Sequence, residues 1–101
     1  MDDEKWFLYI IECRTEDLYV GIAKDVAKRV KEHNEGRACR YTKYRGPVKL
    51  VYSEFCGSYN LARQREREVK KFSKVKKLAL KSNQETSHPV VTGFEVQNLL
   101  S

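Results

Sequence analysis

Two phenols, Tyr9 and Tyr19, lie ten positions apart near the start of the chain; a guanidinium and an imidazole, Arg29 and His33, follow four apart, and one carboxylate, Glu66, sits later inside a run of arginines. Together these five groups could form a site that cuts a phosphodiester. Each also has a plainer reading. Tyrosine is a favoured strand residue that often packs its ring and leaves its hydroxyl wet. Arg29 reads equally as a simple phosphate or carboxylate clamp, and His33 as a helix-border residue with a satisfied ring. Glu66 lies in Arg63-Gln64-Arg65-Glu66-Arg67-Glu68, with cations on every side. Such surroundings favour the ionised form. That suits a metal ligand, and it suits an intrahelical salt-bridge network just as well. Helical periodicity does not choose between Glu66 and Glu68, which border the same apolar stripe.

The elements that must position these groups can be read from pattern. Residues 6–11 are a continuous apolar run, aromatic and β-branched, of a length that suits a buried strand. Residues 18–22 form a second strand, and the short polar link between the two predicts an antiparallel hairpin turning near residues 14 and 15. A register that sets Tyr9 opposite Tyr19 brings both rings out on one face, whereas a slip of one residue separates them. Asp25 is an N-cap for a first helix over 25–35, with Gly36 as its stop. On it, Arg29 and His33 are i and i+4, adjacent along one border of the apolar stripe. Residues 37–46 read as a basic, aromatic loop before a third strand at 48–55, in which Val48, Leu50 and Tyr52 alternate with Lys49 and Ser53. Gly57 and Ser58 make a turn and cap; a second helix runs to about Phe72, and Ser73 caps a third, short one. Beyond Lys81 the periodicity stops. The expected organisation is therefore a domain over 1–81 and a flexible tail over 82–101, with a late strand at 90–96.

Charge is distributed unevenly. The net charge is +6, but residues 24–81 hold 18 of the 20 Lys and Arg against six acids. A basic stretch of that density favours a polyanion, most commonly nucleic acid, although a lysine-rich solvated surface has the same composition. Cys13, Cys39 and Cys56 are odd in number and widely spaced, which indicates neither a disulfide framework nor a zinc knuckle. No apolar run reaches the roughly 18 residues of a membrane span, and the acidic N-terminus has the wrong polarity for a secretory signal. A cytoplasmic protein is expected.

Phe7-Leu8-Tyr9, then Tyr19-Val20-Gly21, then Arg29-x-x-x-His33, then Arg65-Glu66-Arg67-Glu68-Val69-Lys70-Lys71 resemble the GIY-YIG nuclease superfamily, and most of all its small stand-alone bacterial branch of uncharacterised proteins. The resemblance spans roughly residues 6–80. It includes Lys31-Glu32-His33-Asn34, the Tyr41-Thr42 segment and the strand Pro47-Val48-x-Leu50-Val51-Tyr52. Five separated elements appearing in order make chance agreement improbable. The chain departs from the pattern in three places: Phe7-Leu8 stands for Gly-Ile, Ile22 stands where the excision-repair branch has Lys, and a downstream Asn has no counterpart, Leu78 falling near its position and Asn83 already in the tail.

What the resemblance implies is an α+β, GIY-YIG endonuclease-like fold: a small, mainly antiparallel three-stranded sheet flanked by helices. It implies that Tyr9 and Tyr19 line a catalytic face, with one of them, Tyr9 by preference, as general base. A free phenol with pKa near 10 is a poor base at neutral pH, so Arg29, His33 and a metal would have to stabilise its phenolate. Arg29 would hold the scissile phosphate, His33 would hydrogen-bond a tyrosine or the phosphate, and Glu66 would ligate one divalent cation, Mg²⁺ or Mn²⁺. Lys28, Arg37, Arg40, Tyr41, Lys43, Arg45, Lys70, Lys71 and Lys74 are the expected nucleic-acid contacts. The expected function is metal-dependent cleavage of DNA, structure-directed or weakly sequence-specific, by a monomer or weak homodimer. The alternative is a DNA- or RNA-binding module that kept the scaffold and cuts little or nothing.

Overall fold

The computed structural model describes residues 4–86, in the order β1 (Trp6–Cys13), β2 (Leu18–Ala23), α1 (Val26–Asn34), α2 (Arg40–Lys43), β3 (Val48–Gly57), α3 (Tyr59–Lys70) and α4 (Lys74–Thr86). The strands form one antiparallel sheet in the order β2-β1-β3, so the apolar run is the central strand. Covered on both faces, β1 has little use for alternating polarity. Its odd-numbered residues Tyr9, Ile11 and Cys13 pack with Ala23, Val48 and the α1 residues Val26 and Val30. Its even-numbered Leu8 and Ile10 pack with Val20, with Val69 of α3, and with Phe72 and Leu80. The fold is the α+β arrangement expected, and no helix among the described residues is long and apolar enough to cross a membrane.

The hairpin register differs from the one that sets the two tyrosines opposite each other. Tyr9 pairs with Gly21, and Ile11 pairs with Tyr19. The tyrosines are therefore diagonal neighbours two positions apart, which keeps them on one face because side chains alternate with period two. The turn is closed by Glu16 N–H donating to the Cys13 carbonyl at 2.7 Å, with Glu16 at a φ of 74°.

Capping follows the sequence closely. The Asp25 carboxylate accepts from the Lys28 amide at 3.0 Å, Ser58 from Leu61 at 3.2 Å and Ser73 from Lys76 at 3.1 Å. Past α1, Gly36 adopts a φ of 75°, with its N–H on the His33 carbonyl and the Arg37 N–H on that of Glu32, the paired bonds of a Schellman stop. Asn34 then ties α1 to β3 as a strand partner would: its Oδ1 accepts from Val48 N–H at 2.6 Å and its Nδ2 donates to the Val48 carbonyl at 3.1 Å.

Three expectations change. Residues 37–46 are not wholly loop, since Arg40–Lys43 make one helical turn, too short for any periodicity to reveal. The simple alternation expected in β3 is broken, because β1 pairs Ile10 with Tyr52 but Ile11 with Leu50. Val51 is the extra residue of a bulge there, and Leu50 is left 44 % exposed. Finally, α4 continues to Thr86 rather than stopping at Lys81. Apolar periodicity stops at Lys81, whereas the helical backbone continues to Thr86. The strand expected at 90–96 lies outside the described residues.

Candidate active site

Tyr9 reaches the site by lying across Gly21. A Cβ on residue 21 would come within 2.5 Å of the Tyr9 hydroxyl oxygen and 2.7 Å of the carbon that bears it. Glycine is required there by that approach, not by backbone conformation. Gly21→Ala is expected to push the Tyr9 ring off its seat at a cost of about 1–3 kcal/mol, read as a lower urea midpoint with unchanged slope; an unmoved midpoint would show that the ring has room to yield.

So seated, the Tyr9 hydroxyl meets His33 Nε2 at 2.8 Å, and the other ring nitrogen, Nδ1, meets the Thr42 hydroxyl at 2.7 Å. His33 and Thr42 are both buried, and Thr42 is fully so. The Cys39 Sγ lies 3.5 Å from the Thr42 Oγ1. A chain of polar contacts thus leads from Tyr9 through His33 and Thr42 to Cys39. The rings of Tyr9 and Tyr19 sit 6.5 Å apart, each edge-on to His33.

Burial dominates the ionisation of this group. It raises the Tyr9 phenol well above its ordinary range, with Tyr19 adding to the rise and Arg29 opposing it. Tyr19 is pushed up to about 12, first by burial and then by the neighbouring Cys39 thiol. His33 moves the other way, its pKa lowered by burial and by the Arg29 charge against the opposing pull of Glu32. At neutral pH the resting site holds two neutral phenols and a neutral imidazole. Arg29 opposes the rise at Tyr9 without cancelling it.

Arg29 stands half-exposed on α1, its guanidinium 3.2 Å from Glu32. Glu66 comes from α3, across the cavity. Its neighbour Arg65 grips Glu54 of β3 with two bonds, at 2.6 and 3.1 Å, which fixes the rotation of the helix. One residue on, about 100° further round, Glu66 turns into the cavity with only 8 % exposure. Glu68, 59 % exposed in its side chain and paired with Arg65, faces elsewhere. The choice that periodicity left open is made by the Arg65–Glu54 clamp. Glu66 is itself accompanied by Lys70 at 3.1 Å and Arg63 at 3.6 Å.

Tyr9, Tyr19, Arg29, His33 and Glu66 all line one cavity of about 230 Å³. Trp6, Tyr59 and Arg63 complete its wall, and none of the three stands out in the sequence, because a strand's first residue and two positions on a polar helix carry no chemical pattern. Ile22 lies there too, where a Lys was noted as missing. Thr42 entered the sequence reading only through the Tyr41-Thr42 segment of the resemblance; a Thr in a polar stretch gives no sign that its hydroxyl is buried.

The expected nucleic-acid contacts divide. Lys28 lines a groove that shares Trp6 and Arg29 with the cavity, and Lys70 reaches Glu66. Tyr41, 39 % exposed, stacks on Tyr19 at 5.8 Å and carries the Arg45 guanidinium 4.0 Å from its ring centre. Arg45 also pairs with Asp17 at 3.5 Å. Arg37 is held by Glu35, Lys43 lies over Tyr44, and Arg40 is exposed. Lys71 belongs to a different groove with Arg67 and Lys76, and Lys74 donates to the Glu16 carbonyl at the hairpin turn.

Residues 5–79 match the GIY-YIG catalytic domain. The chain is 47 % identical over 77 residues to a UPF0213 protein of Staphylococcus saprophyticus, covering 76 % of this chain and 94 % of that one. It is also 47 % identical over 74 residues to UPF0213 proteins of Staphylococcus aureus, covering 73 % of this chain and 90 % of theirs. The solution structure of a UPF0213 protein from Bacillus halodurans is similar, with a TM-score of 0.51 and 38 % identity over 79 % of this chain and 85 % of that one. On the family match across most of its length, the chain belongs to the GIY-YIG domain family, a nuclease family.

Proposed function

We propose that this protein is a metal-dependent endonuclease that hydrolyses phosphodiester bonds of DNA, structure-directed or weakly sequence-specific. The observation that carries the reading is the Tyr9–His33 hydrogen bond at the wall of a cavity that Arg29 and Glu66 also line. A buried neutral phenol is a weak base, but a phenol whose own proton has somewhere to go is a better one. As an attacking water gives its proton to the Tyr9 oxygen, Tyr9 passes its proton to His33 Nε2; the new P–O bond forms, and the bond to the departing oxygen breaks. Arg29 holds the phosphate and offsets the charge that develops on it. The nearby lysines contact backbone phosphate, so they position without reading sequence.

The donor set suits a hydrated divalent ion. No group of three or more His, Cys, Asp or Glu side chains that could hold a metal occurs among the described residues, and Glu66 is the carboxylate that lines the cavity. Mg²⁺ is commonly bound through one or two carboxylates plus substrate phosphate while keeping several waters. Glu66 would hold Mg²⁺ or Mn²⁺, and the ion supplies charge that polarises the phosphate and stabilises the departing oxygen.

The second reading, binding without cutting, draws on the ion pairs of Glu66 with Arg63 and Lys70, which already satisfy the carboxylate. Incubation with Mg²⁺ or Mn²⁺ and nicked, branched and single-stranded DNA, beside Arg29→Ala, separates the two. The nuclease reading expects cutting that Arg29→Ala abolishes; binding with no cutting on any substrate supports the second. Cleavage unchanged in the variant would belong to a contaminant. Matched RNA and DNA competitors over a salt series test the preference for DNA, and a salt slope near zero would sink both readings.

The proton path sets the expected pH dependence. His33 must be neutral to accept, and its pKa in the fold lies below the ordinary 6.5, lowered chiefly by burial. The acid limb of the rate profile is therefore expected below pH 6.5, with a plateau through neutrality. A limb centred above 6.5 would remove His33 as the acceptor.

A further inference from the structure

We infer that Thr42 is a positioning residue: it holds His33 in the tautomer with the proton on Nδ1, leaving the Nε2 lone pair to receive the proton of Tyr9. The inference rests on the nuclease reading for its catalytic consequence, although its structural half stands alone.

A neutral imidazole has one N–H donor and one acceptor nitrogen, and which is which is set by the partners of the ring. His33 has a partner on each side, Tyr9 at 2.8 Å and Thr42 at 2.7 Å. A threonine hydroxyl can donate or accept, so the Thr42 contact alone does not fix the direction. Donor strength decides it: a phenol O–H is a better donor to an imidazole nitrogen than an aliphatic hydroxyl is, so Tyr9 donates to Nε2 and the one N–H of the neutral ring faces Thr42 from Nδ1. The Cys39 sulfur, 3.5 Å from Thr42 Oγ1 in a contact where either atom can donate, is placed to take the Thr42 O–H in turn. With its own O–H directed to Cys39 Sγ, Thr42 offers lone pairs to the ring, and only an N–H on Nδ1 can use them.

The Tyr9 O–H then points at Nε2, the direction its proton must travel. In the opposite tautomer, Nε2 would carry a hydrogen towards Tyr9 and could not accept one. As the Tyr9 O–H bond breaks and Nε2–H forms, the imidazolium keeps Nδ1–H on Thr42, so the ring need not rotate and that hydrogen bond is retained. The Thr42 side of the ring is shielded from solvent, for Thr42 is fully buried and His33 is 2 % exposed. Thr42 does not line the cavity and would act through the ring.

Long-range ¹H–¹⁵N spectra read the tautomer directly, with His88→Gln separating the signals of the two histidines. Native protein should show His33 with a protonated Nδ1 and an unprotonated Nε2. Thr42→Val should lose that preference and lower kcat by about 10²-fold, with KM changed less than about threefold; Thr42→Ser should restore both. Cys39→Ala, which removes the acceptor of the hydroxyl, should loosen the tautomer while sparing the fold, and it serves where Thr42→Val folds poorly. A native ring protonated on Nε2, or a folded Thr42→Val that keeps native kcat, overturns the inference. Native protein that cuts no DNA removes the nuclease reading, and the spectra then decide the tautomer by themselves.

Discussion

Tyr9→Phe is expected to lower kcat by at least about 10³-fold while leaving the domain folded, which is the upper part of the range for a lost general base. The substitution deletes one oxygen and keeps the ring, so the approach to Gly21 and the edge-on contact with His33 at 5.8 Å remain. Stability falls by about 1–3 kcal/mol at most, the cost of leaving a buried acceptor unpaired, and cavity water at Nε2 should keep it near the low end. What disappears is the only link in the path that faces both an incoming water and a proton acceptor. Tyr19→Phe gives the contrast. Both nitrogens of His33 are engaged by Tyr9 and Thr42, so Tyr19 lacks that acceptor, and a loss of about 10-fold is expected from altered packing and orientation rather than from loss of the base. Single-turnover cleavage of one DNA substrate by both variants checks this. If Tyr19→Phe were inactive and Tyr9→Phe nearly normal, the base would have to be reassigned to Tyr19.

The same comparison marks where sequence reasoning succeeds. Strands β1 and β2, the caps at Asp25, Ser58 and Ser73, and the stop at Gly36 were legible because each depends on local chemistry: a hydroxyl or carboxylate that reaches an amide three residues on, or a glycine that tolerates positive φ. That Tyr9 and Tyr19 share a face was legible as a condition on register, and the structure meets it by a diagonal pairing. The β3 bulge was hidden, since Val51 looks like any strand residue until its pairing with β1 is known. Glu66 and Glu68 could not be separated from periodicity because the deciding contact, Arg65 with Glu54, spans eleven residues and two elements. What Thr42 touches was invisible for the same reason. Its importance lies in what a one-turn helix places beside His33, and no spacing rule reports that.

Glu66→Gln should separate cutting from binding more cleanly than any other change. The amide has the shape of the carboxylate but not its charge, so cleavage is expected to fall by about 10²- to 10³-fold and stimulation by Mg²⁺ to vanish. DNA binding should strengthen. The native carboxylate partly offsets Lys70 and Arg63, at 3.1 and 3.6 Å, on the wall where the phosphate is proposed to sit. Removing it frees roughly one unit of positive charge, worth about 1 kcal/mol for a pair 4 Å apart in water, or about a fivefold gain in affinity that fades as salt is raised. Fluorescence anisotropy over a KCl series measures the gain, and a gel assay measures the loss of cleavage. Glu68→Gln is the control: exposed and paired with Arg65 away from the cavity, it should leave cleavage within about twofold, as surface ion pairs contribute little. If both glutamines cut normally, Glu66 is only the ionic partner of Lys70 and Arg63, and the metal reading fails. If Glu66→Gln binds more weakly and cuts less in proportion, the carboxylate serves to hold the shape of α3 against the sheet. Only tighter binding together with lost cleavage assigns it to the chemistry, because a charge that repels the substrate while remaining necessary for turnover must be acting through something of opposite sign.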